Sequence, residues 1–160
     1  DMGIEPFLIA STVHTVIGQR LVRRIGPESE NYQSDAAETA AVQAALGKLL
    51  PQRKEDLAAV GNDLGYPVLP LATDTAYTLT RGIDQPSSPG GYKGRMGVYE
   101  VFDISEKIQE LILKRATSSE IEALAIAEGM VTMRQDGYLK ALAGRTTIKE
   151  VNRVASANSA

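Results

Sequence analysis

With 160 residues, 43% of them hydrophobic and 23% charged, the chain has the make-up of one globular domain or two small ones. It holds no cysteine, no tryptophan and a single histidine, which excludes disulfide scaffolds, cysteine-held metals and any zinc hydrolase that leans on several histidines. A net charge of −3 gives no global attraction for nucleic acid or anionic lipid, so no nucleic-acid partner is expected. With only 2 Phe and 6 Tyr, the core is expected to be built from Ile, Leu, Val, Ala and Met.

The acidity belongs to the middle of the chain. Residues 1–26 and 92–102 each carry +1 and residues 103–160 balance to zero, whereas residues 27–91 carry −5. No apolar stretch approaches the roughly 20 residues that cross a bilayer, and no basic segment precedes the first apolar run as in a signal peptide. A cytoplasmic protein is expected. The chain enters that run almost at once from Asp1, which reads as a piece of a longer protein.

From Pro6 the apolar residues Phe7, Leu8, Ile9, Val13, Val16 and Ile17 keep a spacing close to 3.6, and Pro6 suits a first helical turn. This predicts a helix with His14 inside it. After Gly18 the period becomes two, and a short strand is expected to end near Pro27. Residues 27–91 are the least regular part. Helix formers from Ala36 to Leu50 follow a capping residue, Asp35, and stop at Pro51. A short helix is predicted over 53–63, a strand over 76–80 and a loop over 84–91.

Gly94–Ile104 alternates as a strand, with Met96, Val98 and Glu100 on one face and Gly97, Tyr99 and Val101 on the other. Three capping boxes follow: Asp103 with Glu106, Thr117 with Glu120, and Thr147 with Glu150. Each is expected to start a helix. Ile104, Ile108, Leu111 and Ile112 form the stripe of the first, and Ile121, Leu124 and Ala125 that of the second, which Gly129 closes. A third runs from Met130 to Leu142 before Gly144, and a fourth takes Ile148, Val151 and Val154. Residues 103–154 are read as a helical lobe, and Ala155–Ala160 as a frayed tail.

No generic catalytic signature is present: the chain has no GxxxxGK[ST], no GxGxxG, no GxSxG and no cysteine nucleophile. His14 has the surroundings of a structural or surface residue. Glu120 and Glu122 read as solvated helix-face charges. The run Gly90-Gly91-Tyr92-Lys93-Gly94-Arg95 has the look of an anion loop, although a tight approach to a strand explains it as well. Arg20, Arg23, Arg24 and Arg95 stand in or beside predicted strands, where a charge needs a partner; Glu100, solvent and a ligand are the alternatives.

Several strings in fixed order carry more than their periodicity. DMGIEPFLIAS with QRLVRRI, then GYKGRMGVYEVFDIS, then EGMVTMRQDGYLKALAGRTTIKEVNRV resembles the carboxyl-terminal part of the hexameric ATPases that drive type II secretion and type IV pilus assembly, of the secretion ATPase E and pilus extension ATPase B types. The likeness is close over residues 1–26 and 92–154 and loose between them. It implies an α+β, mainly helical chain: the tail of a RecA-like α/β motor domain at 1–26, an irregular acidic insert at 27–91, a short sheet, and a C-terminal helical subdomain within 92–154. It also implies that the phosphate-binding motifs lie upstream of the point matching Asp1. ATP and Mg²⁺ would then belong to the whole protein, and the fragment would not hydrolyse ATP alone.

The resemblance further implies a homo-hexamer, peripheral to the inner membrane through a platform protein and other parts of the secretion or pilus machinery. Gln19, Arg20 and Arg95 match places near the nucleotide or the adjacent subunit. In the family the insert carries two CxxC pairs that hold zinc; the matching places are approximately Gly26, Ser29, Asp84 and Ser87, so zinc is not expected. A structural zinc contributes roughly 10 kcal/mol or more to such an insert, which must here rely on its own apolar contacts or be mobile. A free-standing interaction module without catalysis is the alternative to a motor fragment.

Overall fold

The computed structural model describes residues 5–155. It is α+β, with seven α-helices and two two-stranded sheets among the described residues. In order these are α1 (Pro6–Thr12), β1 (Thr15–Ile25), β2 (Ser29–Gln33), α2 (Ala36–Leu46), α3 (Leu57–Leu64), β3 (Thr78–Gly82), β4 (Tyr92–Asp103), α4 (Glu106–Leu113), α5 (Ser118–Ala127), α6 (Met133–Leu142) and α7 (Ile148–Ala155). The chain forms two compact units. One takes the chain up to Gln19 with Tyr99–Met133, the other Arg20–Val98 with the chain from Arg134 on. The four helices of the C-terminal region are therefore shared between the units.

β1 pairs with β4, and β2 with β3. Ile104 N–H donates to His14 C=O at one end of the first pair and Gly26 N–H to Gly91 C=O at the other, so the numbering runs oppositely on the two strands and the pairing is antiparallel. The second pair is antiparallel in the register Ser29 with Gly82, Asn31 with Thr80 and Gln33 with Thr78.

In the first unit α1 lies against α4, and Ile108, Ala125 and Met130 are buried with Phe102, Ile104, Ile112, Ile121 and Leu124 around them. α5 starts at the expected box: Thr117 Oγ1 accepts from Glu120 N–H, and the Glu120 carboxylate accepts from Thr117 N–H at 2.7 Å. These bonds, that of the backbone first, hold the Glu120 carboxyl below its usual range. α4 corrects the expectation. Its cap is Ser105, whose hydroxyl accepts from Ile108 N–H, while the Asp103 carboxylate accepts from the Thr15 hydroxyl at 2.7 Å. Asp103 ends β4 and is spent on its partner strand.

The N-terminal helix is also shorter than its periodicity predicts. It stops at Thr12, and β1 begins at Thr15. The run Thr12-Val13-His14-Thr15-Val16-Ile17 is rich in β-branched residues, whose restricted χ1 favours extended backbone, and the pairing of His14 with Ile104 supplies the alternative to helical bonds. His14 is thus an exposed residue between α1 and β1, not a mid-helix one.

The second unit holds the larger core. Val42, Leu46 and Leu50 from α2 and its exit, Leu69, Tyr77 and Leu79 from the segment leading into β3, and Tyr138, Leu139, Ala141, Ile148 and Val151 from α6 and α7 are buried together. The middle of the chain, expected to be irregular, is therefore a main supplier of core. α2 opens with Asp35 and Glu38 in a reciprocal capping box but ends at Leu46, four residues before Leu50. α3 follows a short 3₁₀ turn and stops at Gly65, whose φ of 74° is left-handed. β3 lies two residues beyond the predicted 76–80, and β2 was not expected, because Ser29-Glu30-Asn31-Tyr32-Gln33 has no apolar alternation.

The core is not purely aliphatic either. Tyr77 and Tyr138 are its largest fully buried side chains, each with its hydroxyl bonded, Tyr77 to Ala72 C=O at 3.0 Å and Tyr138 to the Asn152 side-chain oxygen at 2.9 Å. α6 starts at Met133, three residues later than expected, and α7 runs on to Ala155, which removes that residue from the predicted tail; 156–160 lie outside the described residues. Leu46→Ala, which empties a fully buried site, is expected to cost about 2–5 kcal/mol in a urea titration. Val68→Ala, at a position 85% exposed, should leave the midpoint nearly unchanged.

Candidate functional site

Three arginines line a cavity of about 400 Å³ in the second unit. It is lined by Arg24 and Ile25 at the end of β1, Gly26 and Ser29 at the passage into β2, Arg95 and Met96 on β4, and Gly144 and Arg145 before α7. Backbone bonds hold these segments together. Gly26 N–H donates to Gly91 C=O at 2.9 Å, Ile25 N–H to Arg145 C=O at 3.0 Å, and the Thr146 hydroxyl to Arg23 C=O at 2.8 Å. Gly144 turns the chain out of α6 with a φ of 69°.

None of the eight lining residues is acidic, although the chain as a whole carries −3. Arg24, Arg95 and Arg145 are all exposed and form no ion pair among the described residues. Guanidinium is planar and permanently charged, and its fork matches carboxylate and phosphate oxygens. Three of them around one concavity, with no acid to neutralise them, make a place that attracts an anion. The wall offers neither a nucleophile next to a base nor a set of metal ligands. Among the described residues no group of three or more His, Cys, Asp or Glu could hold a metal ion.

Only one of the three residues singled out from the sequence lines this cavity. Arg95 does so. Arg20 is half-buried and donates from Nη1 to Val154 C=O at 2.8 Å, and Gln19 is exposed on β1. Arg24 carried a signal, being a strand-end arginine, but Arg145 carried none, because nothing local says that the loop after Gly144 returns to β1. Of the places matching the family's cysteines, Gly26 and Ser29 line the cavity, whereas Asp84 and Ser87 are exposed on the other side of the turn that closes before β4.

Arg23 takes a partner outside the three left open for it, Glu100, solvent or a ligand. Its guanidinium donates to Glu150 Oε2 at 2.8 Å and its backbone N–H to Oε1 at 3.1 Å, while Arg153 donates to both oxygens, to Oε1 at 2.6 Å and to Oε2 at 3.2 Å. Glu150 is 1% exposed. Arg23 also lies over the Tyr92 ring, 4.1 Å from its centroid, and the Tyr92 hydroxyl bonds that of Thr147 at 2.8 Å. The third capping box is thus only half formed: Thr147 Oγ1 accepts from Glu150 N–H, but the Glu150 carboxylate serves the arginines. Glu100 instead accepts from Met133 N–H within the first unit.

The chain matches the family described as "Type II/IV secretion system protein" over residues 1–153. It belongs to that family. Among its relatives, "Type II secretion system protein E" of Xanthomonas campestris pv. campestris is 33% identical over 96% of this chain and 23% of its own length. "Type IV pilus assembly ATPase PilB" of Myxococcus xanthus is 30% identical over 94% of this chain and 23% of its own. "Type II secretion system ATPase E" of Vibrio cholerae is 31% identical over 96% and 25%. The chain therefore spans about a quarter of the length of these secretion and pilus relatives.

The charge cluster around Glu150 predicts a pH dependence of stability. Burial alone would raise the Glu150 carboxyl, but the hydrogen bonds from Arg153 and Arg23 outweigh it and bring it from 4.5 down to about 2. A lowered carboxyl contributes stability that is complete above its unfolded value and is lost as the pH falls towards the folded one. Unfolding free energy should therefore drop by about 2–3 kcal/mol between pH 5 and pH 2 through this group. Glu150→Gln should remove that part of the acid slope in chemical denaturation measured across the range.

Proposed function

We propose that this chain is the C-terminal part of a cytoplasmic motor ATPase that powers type II secretion or type IV pilus assembly by ATP-driven domain rotation. The observation that carries this reading is the family match over residues 1–153, joined to relatives named as secretion and pilus ATPases. In this reading residues 1–26 end a RecA-like core, residues 27–91 are the insert, and residues 92–154 begin with a strand and end in helices. The protein works as a homo-hexamer, reaching the inner membrane through a platform protein. ATP and Mg²⁺ are bound by the rest of the motor, since this chain contains no GxxxxGK[ST] whose backbone and lysine could cradle phosphates.

The arginine-lined cavity supports a specific role within the motor. Arg95, with Arg24 and Arg145 beside it, presents charge to a phosphate of bound nucleotide or to a carboxylate of the neighbouring subunit. Gln19 and Arg20 belong to the same reading as contacts on β1, Arg20 being anchored by Val154 C=O. An anion drawn to such a site in one nucleotide state and released in another would couple the turnover of the ring to movement of this region.

In the full-length ATPase, Arg95→Ala is expected to lower kcat/KM for ATP by about tenfold or more with an unchanged melting temperature, and Arg95→Lys to recover only part of it because a point charge replaces a planar fork. The motor reading fails if the intact protein shows no turnover that depends on its P-loop lysine. The 160-residue chain alone should show no turnover above a buffer blank.

A further inference from the structure

The family resemblance implies an insert held by zinc, and the residues of this chain can be tested against such an ion directly. Gly26, Ser29, Asp84 and Ser87, at the matching places, offer no thiolate and no imidazole. The Asp84 carboxylate is already taken by Gly90 N–H at 2.8 Å. Next to Ser87, the Ser88 hydroxyl is fully buried and has no hydrogen-bond partner among the described residues, but one neutral hydroxyl is no ligand set for zinc. The space is also occupied. A Cβ added to Gly26 would lie 2.8 Å from Ser88 Cβ and 3.3 Å from the Gly91 carbonyl oxygen, so a cysteine side chain has no room there. The metal does not fit.

What fills the corner is backbone. Gly82 and Gly91 pass so close that a Cβ on Gly82 would fall inside the Gly91 carbonyl group, and a Cβ on Gly91 inside that of Gly82. Around this crossing, Gly26 N–H donates to Gly91 C=O at 2.9 Å, Gly91 N–H to Ser88 C=O at 2.9 Å, Ser88 N–H to Gln85 C=O at 2.9 Å, and Ile83 N–H to Glu28 C=O at 2.8 Å. The two segments that zinc would bridge, 26–29 and 84–87, are thus joined by main-chain bonds on both sides of a glycine-on-glycine contact. We propose that this contact is a clasp that takes over the work of the metal: it closes the insert, sets the end of β1 against the start of β4, and makes the corner a metal-independent wall of the arginine cavity.

The clasp separates from ordinary glycine effects by choice of variant. Gly82 lies in β3 without a left-handed φ, so Gly82→Ala is opposed by the Gly91 backbone and not by conformation, whereas Gly94, with a φ of 76° and open space around it, pays only for conformation when changed to Ala. In thermal melts of the purified chain, Gly82→Ala is expected to fall about 5 °C or more below wild type and further than Gly94→Ala, up to complete loss of the transition. The wild-type melt should be the same with excess chelator, with added zinc and with neither. A Gly82→Ala melt no lower than that of Gly94→Ala would overturn the clasp. So would a wild-type melting temperature that falls on chelation or rises with one equivalent of zinc, and this second measurement decides even if Gly82→Ala does not fold.

Discussion

The second unit is organised around one buried negative charge. Glu150 is 1% exposed, and an unpaired carboxylate at that depth would cost several kcal/mol. It is tolerated because α7 places it against Arg153 from its own helix and against both the guanidinium and the backbone N–H of Arg23 on β1. The acid therefore fixes where α7 can lie along β1. Arg23 in turn covers Tyr92 at the start of β4, and its own C=O accepts from the Thr146 hydroxyl, so the residue that satisfies the carboxylate also touches β4 and the loop that carries Arg145.

That arrangement also explains why the neighbouring arginines are available. Arg23 and Arg153 are consumed by Glu150, and Arg20 by the C=O of Val154. Arg24, which points from the same strand in the alternate sense, and Arg145, displaced from the helix by Gly144, have no acid beside them and line the cavity with Arg95. A wall that holds three arginines and no acid favours an anion over a cation. The adjacent strand residues Arg23 and Arg24 thus meet different fates, the first paired with a buried acid and the second lining an acid-free wall.

Much of the architecture was legible where local chemistry is decisive. The Thr117 box, the cap at Asp35, the stops at Gly129 and Gly144 and the alternation that begins near Gly94 depend on interactions within a few residues, and they appear in the structure as the sequence predicts. The structure departs from the local pattern where a partner distant in the chain competes. His14 and its β-branched neighbours were drawn from helix to strand by pairing with β4, Asp103 was diverted from capping by Thr15, and Glu150 was diverted by Arg23, 127 residues away. β2 has almost no signal of its own because Ser29–Gln33 is a strand only through its register with Thr78–Gly82.

By itself the sequence determined that these 160 residues contain no cysteine for a disulfide or a metal, which motifs place the chain in the secretion and pilus family, and which residues begin and end most of its helices. These follow from residue identity and short-range spacing. Only the tertiary structure decided that the acidic middle is core-forming, that Arg95 shares a cavity with Arg24 and Arg145, and that Gly82 and Gly91 meet where the family's resemblance would place a metal. The reason is physical: burial and charge pairing are settled between segments far apart in the chain, and a glycine's role is invisible until something approaches the face where it has no side chain.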